Sequence, residues 1–194
     1  MMGIAATAAS AIFLFAILHW GWNEDGATHA ARYTARISFY WFFAAWSISS
    51  LARVWPGSWR LTLLRRRRAL GLGFAASHSV HLVALLTAIV GFGRPSNLIS
   101  IIGGGVGYAI VLAMAATSND RAVKAIGAKR WQQLHRFGGY FLIGIFIFDY
   151  AGSFGSRPYA ATFALLLIGT VILVKLWVLA PSYRQNSQPA SQGK

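Results

Sequence analysis

The residues best suited to chemistry are five histidines: His19, His29, His78, His81 and His135. The chain holds no cysteine and only 4 acids in 194 residues. Disulfides, iron–sulfur clusters and thiolate-held metals are therefore excluded, and no nucleophile–base–acid set can be assembled. His78 and His81 are three residues apart, so on a helix they share one face. A neutral imidazole can bind heme iron, and bundle cores are common sites for such a cofactor. It can equally hydrogen-bond a neighbouring helix, and both uses are open for this pair. His135 is followed by Arg136, Gly138 and Gly139. Small residues a turn from a histidine leave space for a flat macrocycle, and an arginine can pair with its propionates. The same residues also suit an interfacial anchor beside Trp131, with glycines letting helices approach. His29 lies in a polar stretch and reads as a solvated loop residue.

These residues are carried by apolar segments. Hydrophobic residues make up 56% of the chain and charged residues 11%, against roughly 25% charged in a soluble domain. A spanning helix needs about 20 mostly apolar residues. Six windows qualify: Ile4 to Trp20, Tyr33 to Val54, Leu70 to Gly93, Leu98 to Thr117, Leu134 to Gly152 and Tyr159 to Ala180. We number them TM1 to TM6. Asn23-Glu24-Asp25-Gly26, Pro56-Gly57, Gly93-Arg94-Pro95 and Arg157-Pro158 separate them. Tryptophans 20, 22, 55, 59, 131 and 177 fall near predicted helix ends, where indoles favour the headgroup zone. The first window has no basic residues before it, so it reads as a retained helix and not a cleaved signal peptide.

Loop charge sets the orientation. Net charge is +14, and 14 of the 18 basic residues fall on one side of a six-span arrangement. They lie in the TM2–TM3 and TM4–TM5 connections and toward the C-terminus; Arg32, Arg36, Arg94 and Arg157 lie on the other side. The positive-inside rule then places both termini in the cytoplasm. The expected fold is all-α: an integral membrane bundle of six transmembrane helices over 1–180, with a disordered cytoplasmic tail over 181–194. The expected location is a bacterial inner membrane. The basic residues punctuate apolar runs, so the partner is anionic lipid and not nucleic acid. Arg65 to Arg68 reads as an orientation and lipid anchor. Asn119 to Gly127 reads as a short amphipathic helix, capped by Ser118 or Asn119 and stopped by Gly127. Gly103 to Gly107 reads as close helix packing, because no strand precedes it as a phosphate loop requires. Asp149 falls near the outer interface.

Two blocks carry a family resemblance. Arg67-Arg68-Ala69-Leu70-Gly71-Leu72 followed by Ser77-His78-Ser79-Val80-His81-Leu82 resembles TM3 of the ferric reductase-like transmembrane family. Trp131-Gln132-Gln133-Leu134-His135-Arg136, leading into Tyr140, resembles its TM5. The likeness covers roughly Arg36 to Ala151 and is similar to the bacterial heme-binding subunit of the methionine sulfoxide reductase system. It implies a six-helix bundle holding b-type heme between TM3 and TM5 and passing electrons across the membrane. His81 matches the outer TM3 ligand and His135 the inner TM5 ligand. Two further ligand positions of that family fall near Arg67 and Phe148.

Helical rise places His81 about 20 Å beyond Arg68, His78 about 15 Å, and His135 about 8 Å beyond Arg130. On that arithmetic His78 with His135 is the less strained pair across one iron. His19, about 24 Å along TM1 from Gly3, is at nearly the depth of His81 and reads as a substitute ligand that could partner it. Three functions follow. The first is a heme-b electron-transfer subunit, an oxidoreductase component drawing electrons from a separate redox protein or from quinol. The second is a heme-free relative serving as a structural or assembly subunit of a membrane complex. The third is a small-molecule transporter, which the absence of a broken-helix repeat pair disfavours.

Overall fold

The computed structural model describes residues 1–55 and 57–180. The tail expected to be disordered, 181–194, lies outside the described residues. The elements in order are α1 (Met2–Trp20), α2 (Glu24–Val54), α3 (Trp59–Leu86), a π-helical turn (Thr87–Gly91), α4 (Leu98–Ala116), α5 (Asp120–Ile126), α6 (Ala128–Gly152) and α7 (Pro158–Leu179). There is no strand among the described residues. Among the described residues four segments are long and apolar enough to cross a membrane: α1, α3 with its π turn, α4 and α7. α2 and α6 have 31 and 25 residues, but each begins with a polar or basic third that dilutes its apolar character. Large apolar side chains stand open on the outer faces, among them Leu18 at 85% and Val90 at 77% exposed. Such a surface requires a non-aqueous surrounding.

Two helices start earlier than their apolar runs. α2 begins at Glu24, because Asn23 accepts a hydrogen bond from the Gly26 amide at 2.9 Å. Glu24 and Asp25 then occupy the first turn, where negative charge meets the positive end of the helix dipole. His29 is consequently on a helix and not in a loop. α3 begins at Trp59 and carries Arg65 to Arg68 as helix. Arginine is a good helix former, so a charge run ends a hydrophobic window without ending the helix. Arg68 pairs with Asp120 of α5 at 2.7 Å. α5 itself is capped by Asn119, which accepts from the Ala122 amide at 2.8 Å, and stops at Gly127 with φ 84°.

The chain forms two compact units. The first comprises Met1–Trp46 and Arg66–Phe146. Its centre is the seam between α2 and α3. Ala30, Ala31 and Ala84 are 0–2% exposed and let the two backbones approach. Below them two polar pairs cross the seam. Thr34 Oγ1 lies 3.2 Å from His81 Nδ1, and Ser38 Oγ lies 2.9 Å from Ser77 Oγ. Both pairs advance by four residues on each helix in opposite directions, as an antiparallel register demands. Farther along, Phe42 packs on Phe74 and Phe146 with centroids 5.2 and 5.4 Å away. At the opposite end the π turn leads to Phe92, whose ring meets Trp22 edge-on at 5.7 Å.

The second unit comprises Ser47–Arg65 and Ile147–Lys194. In it, α7 buries Ala161, Ala164, Ile168, Val171 and Val178. Those positions recur every three to seven residues and form one stripe of a helix.

The Ser38–Ser77 pair is 0% exposed on both sides, which makes the seam sensitive to volume. Ser77→Leu should destabilise the folded protein by about 1–3 kcal/mol through overpacking. Ser77→Ala should cost only about 0.6 kcal/mol, the average for an interhelical hydrogen bond in a membrane bundle. Thermal unfolding of the two variants in detergent, followed by circular dichroism, checks the order.

Candidate functional site

The first unit gathers three of the five histidines around α4. His78 and His81 project from α3, with ring centroids 5.1 Å apart. Tyr108 of α4 stacks on His78 at 4.6 Å and 21° and lies 6.5 Å from His81. Its hydroxyl donates to the His78 carbonyl at 3.3 Å, which joins α4 to α3. His78 Nδ1 is buried with no hydrogen-bond partner. An unpartnered buried imidazole nitrogen is costly unless something fills its lone pair. His81 Nδ1 faces Thr34, and its Nε2 makes no hydrogen bond among the described residues.

His135, on α6, meets the far end of α4. Its Nε2 lies 3.4 Å from Thr117 Oγ1, and its ring lies 4.3 Å from that of Trp131. Trp131 Nε1 donates to the Thr117 carbonyl at 3.0 Å. Tyr108 on α4 and Thr117, the C-cap of that helix, are nine residues apart, about 13.5 Å of helical rise. The structure therefore brings His78 and His81 together and sets His135 at a second level. Arg136 is exposed, one residue and a third of a turn around α6 from His135. Arg67 is the charged neighbour of His135, and its Nε donates to the Ala45 carbonyl at 3.3 Å. That is the TM3 position where the resembled family places a further ligand.

The glycines near His135 do not leave a slot. A Cβ on Gly138 would run into Met114 and Ile110, and one on Gly139 would lie 3.4 Å from Trp46. Both are helix-packing positions, filled from the facing element. In the Gly103 to Gly107 run only Gly107 packs closely, where an added Cβ would come within 3.0 Å of Ile145, while the other glycines face open space.

His19 is exposed. Its ring stacks on Phe15 at 5.6 Å and meets Trp20 at 4.3 Å, so it is not brought to His81. His29 is half-buried, stacked on Trp20 at 4.2 Å and 6°. Burial, and then the Arg32 guanidinium, lower its pKa below the usual histidine value. An open apolar groove of about 320 Å³ lies between α1 and α2, lined by Ile12, Phe15, Tyr33, Arg36, Ile37 and Tyr40; none of the histidines lines it.

Sequence reasoning missed Thr34, Tyr108 and Thr117. Thr34 and Ser38 form an i, i+4 hydroxyl pair that mirrors Ser77 and His81, and that spacing was the available signal. No group of three or more His, Cys, Asp or Glu occurs among the described residues. A heme needs only one or two imidazoles, and His81, with one nitrogen held and the other free, has the donor chemistry of an axial ligand.

Comparison with known proteins points the same way. The chain is similar to the protein-methionine-sulfoxide reductase heme-binding subunit MsrQ of Klebsiella pneumoniae subsp. pneumoniae, with 30% identity over 138 residues, 65% of this chain and 64% of that protein. MsrQ of Azospira oryzae is 28% identical over 145 residues, 66% of this chain and 60% of that protein. The matches thus span less than two thirds of the length of either relative. No family model matches the chain, and no solved structure matches it. The two likenesses bear out the resemblance read from the sequence and support an MsrQ-like family.

The packing of Gly138 gives a direct check. Gly138→Ala should destabilise the α4–α6 contact by about 1–3 kcal/mol. Gly144→Ala on the same helix, where nothing lies within 4 Å, should be neutral or slightly stabilising. Thermal unfolding of both variants in one detergent makes the comparison.

Proposed function

We propose that the chain is a membrane-embedded b-type heme protein that transfers electrons across or within the membrane as a subunit of a redox system. The reading rests chiefly on His81, a part-buried imidazole whose Nδ1 is engaged by Thr34 and whose Nε2 is left without a hydrogen-bond partner. It is supported by the printed description of two similar proteins as heme-binding subunits of a protein-methionine-sulfoxide reductase. His81 would hold the heme iron, with His78 beside it as a substitute ligand. His135, with Arg136 and Arg67 near its level, is a second candidate position. Bound heme supplies a reversible one-electron change at its iron. The chain's own residues would orient the imidazole, exclude water with apolar walls and, through Tyr108, hold α4 against the ligand helix. Electrons would come from a separate redox protein or from membrane quinol.

The arrangement we propose has six spans, with α2 and α6 crossing beside the four apolar segments. Both termini face the cytoplasm of a bacterial inner membrane, and lipid, not nucleic acid, surrounds the chain. The chain has no cysteine, so single introduced cysteines report topology directly. Arg94→Cys and Gly155→Cys should react with an impermeant maleimide from the periplasm, and Lys124→Cys only after the membrane is opened. Labelling of Arg94→Cys and Lys124→Cys from the same side would overturn the topology.

A heme-free structural or assembly subunit is the competing reading. The filled glycine faces at Gly138 and Gly139 favour it. A reduced-minus-oxidised spectrum separates the two. Protein purified from heme-replete cells should show b-type bands, and His81→Ala should lose more heme than His135→Ala in a pyridine hemochrome assay. Colourless wild-type protein would remove the redox reading.

A further inference from the structure

Thr34 is 0% exposed and sits in the middle of the α2–α3 seam. Its Oγ1 lies 2.7 Å from the Ala30 carbonyl, 3.2 Å from the Ala31 carbonyl and 3.2 Å from His81 Nδ1. A hydroxyl has one proton and a carbonyl can only accept. The closest contact therefore takes the Thr34 proton to Ala30, and the Thr34 oxygen is left to accept. With the Thr34 proton committed to Ala30, His81 Nδ1 must be the donor in this contact. The ring is thereby assigned the Nδ1–H tautomer, which leaves a lone pair on Nε2.

His135 meets the same device with the opposite nitrogen. Thr117 Oγ1 lies 2.7 Å from the Ala113 carbonyl and 3.2 Å from the Met114 carbonyl. Its proton is committed, so its oxygen accepts from His135 Nε2, the atom that faces it at 3.4 Å. The free lone pair of His135 is then on Nδ1, next to its own backbone. A bond of 3.4 Å is long and weak, whereas the Thr34 contact is shorter, 3.2 Å.

We propose that Thr34 is a positioning residue: it locks His81 in the Nδ1–H tautomer so that Nε2 is presented to heme iron, while Thr117 holds His135 in the opposite tautomer and makes it the subordinate ligand. The presentation to iron rests on the heme reading above; the tautomer lock does not. Outer partners of this kind fix the ring orientation of a metal-binding histidine and raise its basicity. Donation from Nδ1 enriches Nε2 in electron density, which stabilises the oxidised iron and holds the midpoint potential down.

The test uses the full chain in nanodiscs, labelled with ¹⁵N-histidine and assigned with His81→Gln. In hemin-free protein, long-range ¹⁵N–¹H spectra should show His81 as the Nδ1–H form and His135 as the Nε2–H form. Thr34→Val should give His81 a mixture of tautomers, weaken hemin binding by about tenfold and raise the midpoint potential. Thr34→Ser should restore all three readouts, which a purely structural role in volume filling would not explain. Thr117→Val should leave hemin affinity undiminished. If Thr34→Val does not fold, Thr34→Ala, which leaves a void and adds no contact, carries the same measurement. A His81 tautomer unchanged in the folded Thr34 variant overturns the proposal whatever hemin does. Wild-type protein that shows the expected tautomers but takes up no hemin overturns the heme reading and the presentation to iron, and leaves the lock standing.

Discussion

The hydrogen bonds between α2 and α3 constrain the rest of this structure more than any other contact. Inside a hydrocarbon layer no water is available to a hydroxyl or an imidazole, and an unpartnered polar group there costs several kcal/mol. Each such bond adds little by itself, about 0.6 kcal/mol on average in a membrane bundle. The asymmetry between small gain and large penalty is what selects the register. Sliding α3 by one residue would take from Ser77 and His81 Nδ1 their partners on α2, while Thr34 and Ser38 keep their bonds to carbonyls of their own helix. The alanines above them permit the close approach, and the aromatic cluster below them fills the wider gap. The position of His81 is thus a consequence of helix register.

Much of the scaffold was legible in the amino-acid order because the bilayer imposes a length on apolar runs. Each of the six windows corresponds to a helix, and the cap and stop of α5 were readable from Asn119 and Gly127. Boundaries were less legible where a helix outlasts its apolar part. The beginnings of α2 and α3 are polar or basic yet helical, and hydropathy reports where a segment leaves lipid, not where it stops coiling. That is why His29 read as a loop residue although it stacks on Trp20.

The site was legible in part for a related reason. The three-residue spacing of His78 and His81 fixes a shared helix face, and both rings do adjoin. Rise along a helix read His78 and His135 as a pair across one iron, whereas the structure seats them against Tyr108 and Thr117, nine residues apart. Which residue of another helix meets each ring depends on rotation and register, so Thr34, Tyr108 and Thr117 could not be read from local spacing alone. The glycines beside His135 show the limit plainly: a missing side chain is the same in sequence whether a ligand or Met114 fills the space.

The π turn at Thr87–Gly91 bears on how such a chain tolerates changes in length. A π turn holds one residue more than the α turn it replaces. The α2-facing positions Ser77, His81 and Ala84 all precede it, whereas Phe92, beyond it, reaches Trp22. Slack is stored between the imidazole-bearing face and the aromatic closure at the helix end. Losing one residue there would tighten the coil and leave the imidazoles at their depth, so related chains can differ by a single-residue gap at this point without disturbing the interior.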